Sequence, residues 1–487
     1  MNNTYTICRN GYRINKDKLS TIECNELRKE LTVKPIYKET YNDVIPFSVY
    51  LENDNYLYIP KYYGINKYPK YKSKIDKYAK INISFNGELR EYQQHAYTKC
   101  IEHLDTYQGG LVSVPCGWGK TIFAIRLIAH YNVKTLIIVH KTFLLNQWYE
   151  RIREFTNARI GCIRQKKINV KNKDIVIGML QSISMINYDN SIFDDFGMVI
   201  CDEVHHVAAR TFHNALLKTC SHYTIGLSAT PNRADGLTKL INWFIGDNMY
   251  NVPAKQDNSV KVILFDYYLE HYLYSEKKMY IKGKMKPAIQ KMITNMCEIS
   301  KRNVFITDII DCVSRLKNRK ILILSDRINH LTILKKTMDS RIKIYVKNGI
   351  LDSKELTTSY YIGSMKSYEL NDASDADIIY ASYAMASEGL DISTLNTIIL
   401  STPKSDIVQA IGRIMRKTSF EIQPLIIDII DNLSIFPYQF IKREKIYDKR
   451  KYNKSMHTIK YIFENKQYDT YIDDNIINRK RLLNCFC

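Results

Sequence analysis

The stretch LVSVPCGWGKT, at residues 111–121, decides the fold because it joins an apolar run to a loop that contains two glycines. Apolar residues at helical spacing follow it at once, at Ile122, Ile125 and Ile128. A strand, a tight loop and a helix in this order are typical of the first unit of a parallel α/β sheet. The sequence around this stretch supports that interpretation.

Short apolar runs of strand length occur in two series along the chain. After the first run, further runs of strand length occur at residues 135–139, 174–179, 198–201 and 224–227. Amphipathic stretches separate them, which predicts buried parallel strands joined by crossover helices. The rhythm returns at residues 321–324, 342–346, 378–380, 397–400 and 425–430. We therefore predict an α/β fold with two parallel-sheet domains in tandem.

The domain boundaries follow from shifts in composition along the chain. We predict a Tyr- and Lys-rich N-terminal domain, a first sheet domain, a bridge with one strand-like run at 260–265, a second sheet domain and a basic C-terminal tail. The predicted limits of these regions are 1–80, 81–247, 248–300, 301–435 and 436–487.

The composition excludes several classes of protein. Hydrophobic residues make up 45% and charged residues 25% of the 487 residues, which is typical of a globular chain and excludes disorder. There are 71 Lys and Arg residues against 50 Asp and Glu, a net charge of +21, which favours a phosphate-rich partner, namely nucleic acid. No apolar run approaches the ~20 residues of a membrane span. The N-terminus lacks a signal-peptide pattern, and the eleven cysteines are scattered without a CxxC pair. These features predict a soluble intracellular protein without a zinc site.

The loop at the centre of the first stretch has the chemistry of a phosphate site. Gly117 and Gly119 allow backbone N–H groups to close around phosphate oxygens. Lys120 can reach the β and γ phosphates, and the Thr121 hydroxyl can ligate Mg²⁺. The helix that starts here adds the positive end of its dipole. Val114 stands where the general pattern has its first glycine, and a purely structural turn is the alternative.

An acidic pair follows another buried run. Asp202 and Glu203 come directly after residues 198–201, at the strand end where open α/β sheets bind ligands. Asp202 can hold Mg²⁺, and Glu203 can orient and deprotonate an attacking water. For His205 and His206 two interpretations remain open: a hydrogen-bonding link between the nucleotide site and its surroundings, or half-buried loop histidines.

Several motifs occur in a recognisable order. The sequence resembles the superfamily 2 helicases and translocases, most closely the XPB-type branch and its relatives in phages and large DNA viruses. In the first domain the matching motifs are REYQ (90–93), VPCGWGKT (114–121), HKTFLLNQW (140–148), MLQS (179–182), DEVHH (202–206) and LSATP (227–231). In the second they are ILSDR (323–327), AMASEGLD (384–391) and QAIGRIMR (409–416). The branch's Arg-Glu-Asp element reads RAD at residues 233–235.

The resemblance implies two RecA-like domains that bind ATP with Mg²⁺ and act on nucleic acid. It implies that Arg90 and Gln93 contact adenine. It also implies that Pro115, Cys116 and Trp118 complete the loop around the phosphates.

The resemblance further implies contributions from the second domain. Arg413 and Arg416 are three residues apart on a predicted helix and therefore share a face. They would act as arginine fingers that neutralise charge on the γ-phosphate, with Gln409 beside them. Gly389 and Asp391 would belong to the nucleotide site. Like Ser228 and Thr230 of the first domain, they would also couple the nucleotide site to the binding of the nucleic-acid strand.

The function that we expect is an ATP-driven helicase or translocase, with DNA favoured by the DEVH form of the acidic motif. An RNA or RNA–DNA remodeller and a non-hydrolysing nucleic-acid-binding scaffold are the alternatives. Two basic stretches are predicted to extend the contact with the polymer, with solvated surface as the alternative. They are residues 61–80, where five tyrosines alternate with seven lysines, and residues 442–454.

Overall fold

The computed structural model divides the chain into two compact units, Met1–Pro253 and Ala254–Cys487. It describes the whole chain except residues 1–3, 37–44, 116, 207–210, 212, 232, 234, 254–255, 282, 350–355, 364, 389–391, 393, 415–421, 465–466, 473–474, 477–481, 483–484 and 487. Four predicted site residues therefore lie outside the described part: Cys116, Gly389, Asp391 and Arg416.

The first unit begins with a small mixed sheet and continues into a large parallel one. The N-terminal elements are β1 (Tyr5–Cys8), β2 (Gly11–Asn15), α1 (Thr21–Glu30), β3 (Thr32–Val33), β4 (Phe47–Ser48), β5 (Leu51–Glu52), β6 (Tyr56–Ile59), α2 (Lys61–Lys67) and β7 (Lys72–Ser73). The later elements are α3 (Glu91–Tyr107), β8 (Gly109–Ser113), α4 (Lys120–Tyr131), β9 (Thr135–Val139), α5 (Thr142–Phe155), β10 (Ile160–Arg164), β11 (Lys167–Asn169), β12 (Ile175–Met179), α6 (Leu180–Met185), β13 (Met198–Cys201), α7 (Asn214–Lys218), β14 (Tyr223–Ser228), α8 (Thr238–Ile245) and β15 (Asn248–Asn251).

The large sheet of this unit has the order β11-β10-β12-β9-β13-β14-β8-β15, and its strands are parallel except for the β10–β11 pair. Successive residues of β9 face opposite sides: Leu136 and Ile138 belong to one buried cluster, and Ile137 and Val139 to another. Helices cover both faces, which explains why the strand reads as a continuous apolar run. The parallel α/β fold predicted from these runs is confirmed.

The N-terminal sheet, in the order β5-β6-β2-β1-β7, packs directly on the large sheet. Tyr12 and Ile14 belong to the same buried cluster as Leu136 and Ile138. The buried Lys61 ammonium donates to the carbonyl oxygens of Ser221 (3.1 Å) and His222 (2.7 Å). The first 80 residues and the first parallel sheet therefore share one hydrophobic core.

The tyrosines of residues 61–80 contribute to this packing. Tyr62 is buried, Tyr63 meets the Trp243 ring edge-on at 5.0 Å, and Tyr68 stacks on Tyr5 at 4.5 Å. The prediction that Lys61 and Tyr62 belong to a surface for unpaired bases is therefore wrong, and for the half-buried Tyr63 and Tyr68 it stays a prediction. Six other lysines of this stretch are exposed: Lys67, Lys70, Lys72, Lys74, Lys77 and Lys80.

The second unit repeats the parallel-sheet plan. Its strands continue the numbering as β16 (Lys261–Leu269), β17 (Lys278–Ile281), β18 (Lys284–Pro287), β19 (Ile321–Ser325), β20 (Thr358–Tyr361), β21 (Ile378–Ser382), β22 (Thr397–Leu400), β23 (Leu425–Asp431), β24 (Asn453–Glu464), β25 (Gln467–Ile472) and β26 (Asn475–Ile476). Its helices are α9 (Ile289–Glu298), α10 (Ser300–Ser314), α11 (Ile328–Lys347), α12 (Ser367–Ala373), α13 (Tyr383–Glu388), α14 (Val408–Ile411) and α15 (Phe436–Lys449).

The sheet of this unit has the order β20-β21-β19-β22-β23-β16-β24-β25-β26. Strand β16, from the predicted bridge, lies between β23 and β24 and is parallel to both. Strand β24 belongs to the predicted basic tail. The second sheet therefore extends in both directions beyond the predicted limits 301–435, because segments far apart in sequence complete it.

One predicted strand is a helix. Residues 342–346 lie inside α11, where Leu331, Leu334, Met338 and Ile342 form the buried face at helical spacing. Ile344 and Val346, which made this run look like a strand, are exposed. The strand prediction at 342–346 is therefore wrong, because helical periodicity over twenty residues outweighs a short β-branched run.

Part of the basic stretch 442–454 is structural. Arg443 is buried and pairs with Asp428, its Nε donating to Oδ2 at 2.8 Å. Lys454 pairs with Asp448 at 2.6 Å. These residues stabilise the unit itself, so the prediction of a contact with the polymer is wrong for Arg443. Among the described residues, no helix combines the length and hydropathy that a bilayer crossing needs.

Candidate nucleotide site

The predicted phosphate loop connects β8 to α4 at the carboxyl edge of the first sheet. Gly117 and Gly119 have φ values of 80° and 95°, a left-handed backbone that favours glycine. Gly119 precedes the first residue of α4, so Lys120 and Thr121 occupy the first turn of that helix. The N–H groups of a first helical turn have no partner within the helix and can bind an anion.

The REYQ motif binds the backbone of the phosphate loop. The Gln93 side chain is buried; its Oε1 accepts from the Arg90 N–H (3.0 Å), and its Nε2 donates to the Trp118 carbonyl (2.9 Å). Arg90 donates to the Tyr92 hydroxyl at 2.7 Å. Gln93 is thus bound to the backbone of the phosphate loop, and the implied contact of Arg90 and Gln93 with adenine stays a prediction.

Lys120 and Glu203 form an ion pair at the centre of the site. The Lys120 Nζ donates to Glu203 Oε1 at 2.9 Å, and the two side chains are 13% and 14% exposed. Burial alone would raise the pKa of Glu203, but the charges of Lys120 and then His205 outweigh it and leave that pKa below its ordinary value. Glu203 is therefore a carboxylate at neutral pH, as a general base must be.

Asp202 lies beside this pair and is held by a tryptophan. The Trp148 indole Nε1 donates to Asp202 Oδ2 at 2.8 Å, and Asp202 Oδ1 accepts from the Glu203 N–H at 3.0 Å. Burial, and next the negative charge of Glu203, raises the pKa of Asp202 above its ordinary value. A cation at this carboxylate would offset the repulsion between the two acids.

The histidines of the DEVHH motif connect the acidic pair to the next strand. The His205 Nδ1 lies 3.2 Å from the Ser228 hydroxyl at the end of β14 and 3.6 Å from Glu203 Oε2. Ser228 in turn accepts from the Thr230 N–H at 3.1 Å. The His206 ring stacks near His140, with centroids 3.9 Å apart. Of the two interpretations left open, the contacts of His205 correspond to the hydrogen-bonding link.

The RAD element lies directly behind these histidines. Arg233 donates through Nε to Asp235 Oδ1 at 2.9 Å, and its guanidinium also donates to the His205 carbonyl. The positive charge of Arg233 thus lies inside the unit, and its hydrogen bond to the His205 carbonyl stabilises the turn that contains His205 and His206.

Two of the five residues predicted from the second domain lie in the described part. Gln409 is in α14, and Arg413 follows that helix and donates from Nε to the Ala386 carbonyl oxygen at 2.7 Å. The predicted site residues that the structure brings together are therefore those of the first unit.

The residues present fit a nucleotide and a divalent cation. Two adjacent carboxylates and a lysine lie together at the sheet edge, and Thr121 follows that lysine in the first turn of α4. Hard cations prefer oxygen ligands such as these carboxylates and the Thr121 hydroxyl. The Glu203 Oε2 atom is buried and accepts no hydrogen bond within the described part of the chain. A buried acceptor of this kind is available to a water molecule or substrate group.

The hydrogen bond from Trp148 to Asp202 was not predicted from the sequence. Leu144, Trp148 and Ile152 recur at helical spacing and form the buried face of α5, so burial of the indole could have been predicted. Its partner could not, because the contact with Asp202 joins positions 54 residues apart.

Comparisons with known proteins agree with this geometry. Residues 86–233 match the family model for the type III restriction enzyme res subunit, and residues 301–418 match that for the helicase conserved C-terminal domain. A protein of Acanthamoeba polyphaga mimivirus that bears the name of an ATP-dependent RNA helicase (L396) is 37% identical, over 97% of this chain and 90% of the relative. The Sulfurisphaera tokodaii protein named DNA 3'-5' translocase XPB2 is 29% identical over 35% of this chain and 37% of its own.

Two solved structures share the fold. The type ISP restriction-modification enzyme LlaBIII bound to DNA has a TM-score of 0.51 at 18% identity and covers 74% of this chain and 30% of its own. S. cerevisiae Dbp5 bound to RNA and ADP BeF3 has a TM-score of 0.50 at 11% identity, over 75% of this chain and 89% of its own.

The site and the matched models define a class: motors that hydrolyse ATP and act on nucleic acid. The chain belongs to the superfamily 2 helicases, with relatives among viral helicases and the XPB proteins. The predicted family, tandem RecA-like fold and ATP-hydrolysing activity are confirmed.

Proposed function

We propose that this helicase translocates on DNA and unwinds it, driven by Mg²⁺-ATP bound at the edge of the first sheet. The half-buried Lys120–Glu203 pair, with Asp202 beside it, is the observation that carries the assignment of the ATP site. The net charge of +21 and the printed name of the XPB2 relative support DNA as the polymer. We also propose an intracellular site of action, because both substrates are found there and nine cysteines of the described part are free thiols.

The residues of the first unit would share the chemistry as follows. Lys120 binds the β and γ phosphates, while Arg90 and Gln93 contact adenine. Thr121 and Asp202 would hold Mg²⁺, which neutralises phosphate charge when it is bound. Pro115, Cys116, Gly117, Trp118 and Gly119 form the loop around the phosphates.

Substrate binding changes the partner of Lys120. The Lys120 ammonium, which pairs with Glu203, would exchange this partner for phosphate oxygens of ATP and so release the carboxylate. Glu203 then accepts a proton from the attacking water through its carboxylate oxygens. His205 and Ser228 connect this carboxylate to the loop at Thr230, which couples hydrolysis to the grip on the strand.

We assign the second unit's part from the resemblance. Arg413 and Arg416 act as arginine fingers on the γ-phosphate, with Gln409 beside them. Gly389 and Asp391 couple the nucleotide to the strand.

The experiment is ATP hydrolysis with and without single-stranded DNA or RNA, followed by strand displacement on duplexes with 3′ or 5′ tails of either polymer. We expect stimulation by DNA and displacement of the DNA duplex. The Glu203→Gln variant should retain nucleotide binding and lose turnover by roughly 10²- to 10⁴-fold. The exposed Glu150 offers a matched control, and Glu150→Gln should hydrolyse ATP normally. Equal turnover in Glu203→Gln and wild type would remove the general-base assignment.

An RNA remodeller is the second candidate. The printed name of the mimivirus relative favours it, and backbone contacts alone do not select the sugar. Stimulation of hydrolysis by RNA and not by DNA would establish this alternative and refute the choice of DNA.

A further inference from the structure

A two-stranded ribbon stands apart from the main sheet of the second unit. Strands β17 and β18 pair antiparallel with each other and, within the described residues, with no other strand. The register places Tyr280 opposite Met285 and Lys278 opposite Pro287, so these four side chains share one face. The opposite face carries Met279, Ile281, Lys284 and Lys286.

The large apolar side chains of this ribbon are exposed to solvent. Tyr280 is 72% exposed, Met285 60% and Met279 49%. An isolated two-stranded ribbon is marginally stable in water, and such side chains normally turn toward a core. Tyr280 and Met285, which are neighbours on one face of the ribbon, indicate a surface that a partner covers.

The charge around these side chains identifies the chemistry of the partner. Residues 276–287 (EKKMYIKGKMKP) contain five lysines and one acid, Glu276. Glu276 is already engaged, because it accepts from the Ser434 hydroxyl at 2.7 Å and pairs with Lys278 at 3.2 Å. Cations alternating with an aromatic ring and flexible thioethers suit a polymer with phosphates at regular intervals and flat apolar faces between them.

The base of the ribbon is fixed at the ligand-binding edge of the sheet. Strand β16 is parallel to β23, so the chain leaves β16 toward the ribbon at the carboxyl edge, where open α/β sheets bind ligands. The buried Tyr274 hydroxyl donates to the Tyr267 carbonyl at 3.2 Å. The Ala288 N–H closes the ribbon by donating to the Lys277 carbonyl at 2.6 Å.

The ILSDR motif supports the same base. The Arg327 side chain, at the end of that motif, donates to Gln290 Oε1 at 2.6 Å and to Thr294 Oγ1 at 3.0 Å, both on α9 directly after the ribbon. A projecting element with a rigid base can hold a ligand in a defined position.

We propose that the ribbon formed by Lys278–Ile281 and Lys284–Pro287 binds an unpaired nucleic-acid strand. Tyr280 and Met285 contact the bases, and the exposed Lys284 neutralises a phosphate. The inference rests on the proposed function, since it gives the helicase a contact with its polymer outside the nucleotide site.

The test compares tyrosine variants of the full chain. Tyr280→Ala should weaken binding of a fluorescent dT oligomer or rU oligomer by roughly 5- to 100-fold, because base–aromatic stacking has that value per base. Tyr280→Phe keeps the ring and should bind like wild type. The matched control is Tyr438→Ala, since Tyr438 is similarly exposed (64%) on α15 of the same unit. The two oligomers separate a DNA from an RNA ligand.

A second variant tests the charges. Lys284→Ala removes one exposed cation, so the slope of log affinity against log salt should decrease by about 0.7 for a single strand. Nucleic-acid-free ATP hydrolysis should be unchanged in all four variants, because none touches the nucleotide site.

The outcomes distinguish the inference from the function on which it rests. If wild type binds neither oligomer, the proposed function fails and the ribbon proposal fails with it. If wild type binds and Tyr280→Ala binds equally well, only the ribbon proposal is overturned, and a protein partner becomes the explanation for the exposed face. Weakening by Tyr280→Phe equal to that by Tyr280→Ala would also refute stacking.

Discussion

Replacing Trp148 with phenylalanine should weaken the response of the ATPase to magnesium. The substitution keeps an aromatic ring in the buried face of α5 and removes the N–H that donates to Asp202 Oδ2 at 2.8 Å. Asp202 is then free to rotate away from the position in which it would hold the cation. The effect falls on the metal because the indole contacts the carboxylate that would hold the cation.

The magnitude follows from the kind of bond removed. A hydrogen bond to a charged group contributes about 1.5–3 kcal/mol, and loss of a partner that orients a metal ligand costs about 10- to 100-fold in metal affinity or activity. We expect the half-saturating Mg²⁺ concentration to rise about 10-fold in Trp148→Phe. The smaller ring also leaves a cavity, so the free energy of unfolding should fall by about 1–3 kcal/mol.

The assay is steady-state ATP hydrolysis as a function of Mg²⁺, together with binding of a fluorescent nucleotide in EDTA. Nucleotide binding without metal should be unchanged. Trp243→Phe is the matched control, since Trp243 is a half-buried indole of the same unit that packs against Tyr63. The reasoning is refuted if Trp148→Phe loses stability and retains the wild-type dependence on Mg²⁺.

Three further predictions concern the loop, a buried ion pair and a buried histidine. Gly119→Ala should weaken fluorescent-nucleotide binding about 10-fold. The reason is that a left-handed backbone costs alanine about 1–2 kcal/mol, and the new Cβ would lie 2.7 Å from Gln93 Nε2. Wild-type affinity in this variant would contradict the argument. Asp431→Asn should lower the free energy of unfolding in urea by about 3–5 kcal/mol, because it removes the anion that the buried Arg302 contacts at 2.7 Å. The double variant Arg302→Leu, Asp431→Leu should lose less, and an equal loss would contradict the charge argument. Burial, and next the charge of Arg302, holds the pKa of His330 well below its ordinary value. As the pH falls below about 6.5, His330 therefore gains a proton in the unfolded chain but not in the folded protein. Stability should therefore be full above that pH and decrease below it by up to about 1.4 kcal/mol per pH unit, and His330→Gln should flatten the profile of urea midpoint against pH.

The parallel strands could be predicted because both faces of each sheet are covered. Runs such as 135–139 and 397–400 coincide with β9 and β22, since a strand buried on two sides contains apolar residues without interruption. Strand β24 could not be predicted in this way, because it is not a continuous apolar run. Its buried Ile459 and Tyr461 alternate with more polar residues, as in a strand with one face toward solvent.

The nucleotide site was predictable where its chemistry is local in sequence. The loop at Gly117 and Gly119 has the left-handed backbone that its glycines suggest. The partners of Asp202 and Glu203 were not all predictable, because Trp148 approaches through the packing of a helix on the sheet. Lys61 and Tyr62 were misinterpreted for a related reason: composition does not reveal which side chains face the core.

The position of β16 has a consequence for how the chain acquires its structure. This strand forms ladders with β23 and β24, both of which are synthesised much later. Topologies with such distant partners have high contact order and fold slowly, because a long loop must close before the pairing stabilises it. On the ribosome, residues 261–269 emerge as an apolar segment without either neighbour and depend on segments made later to complete the second motor domain. Nascent chains arrested before residue 453 should thus expose this strand to chaperones, whatever the state of the ATPase domain that precedes it.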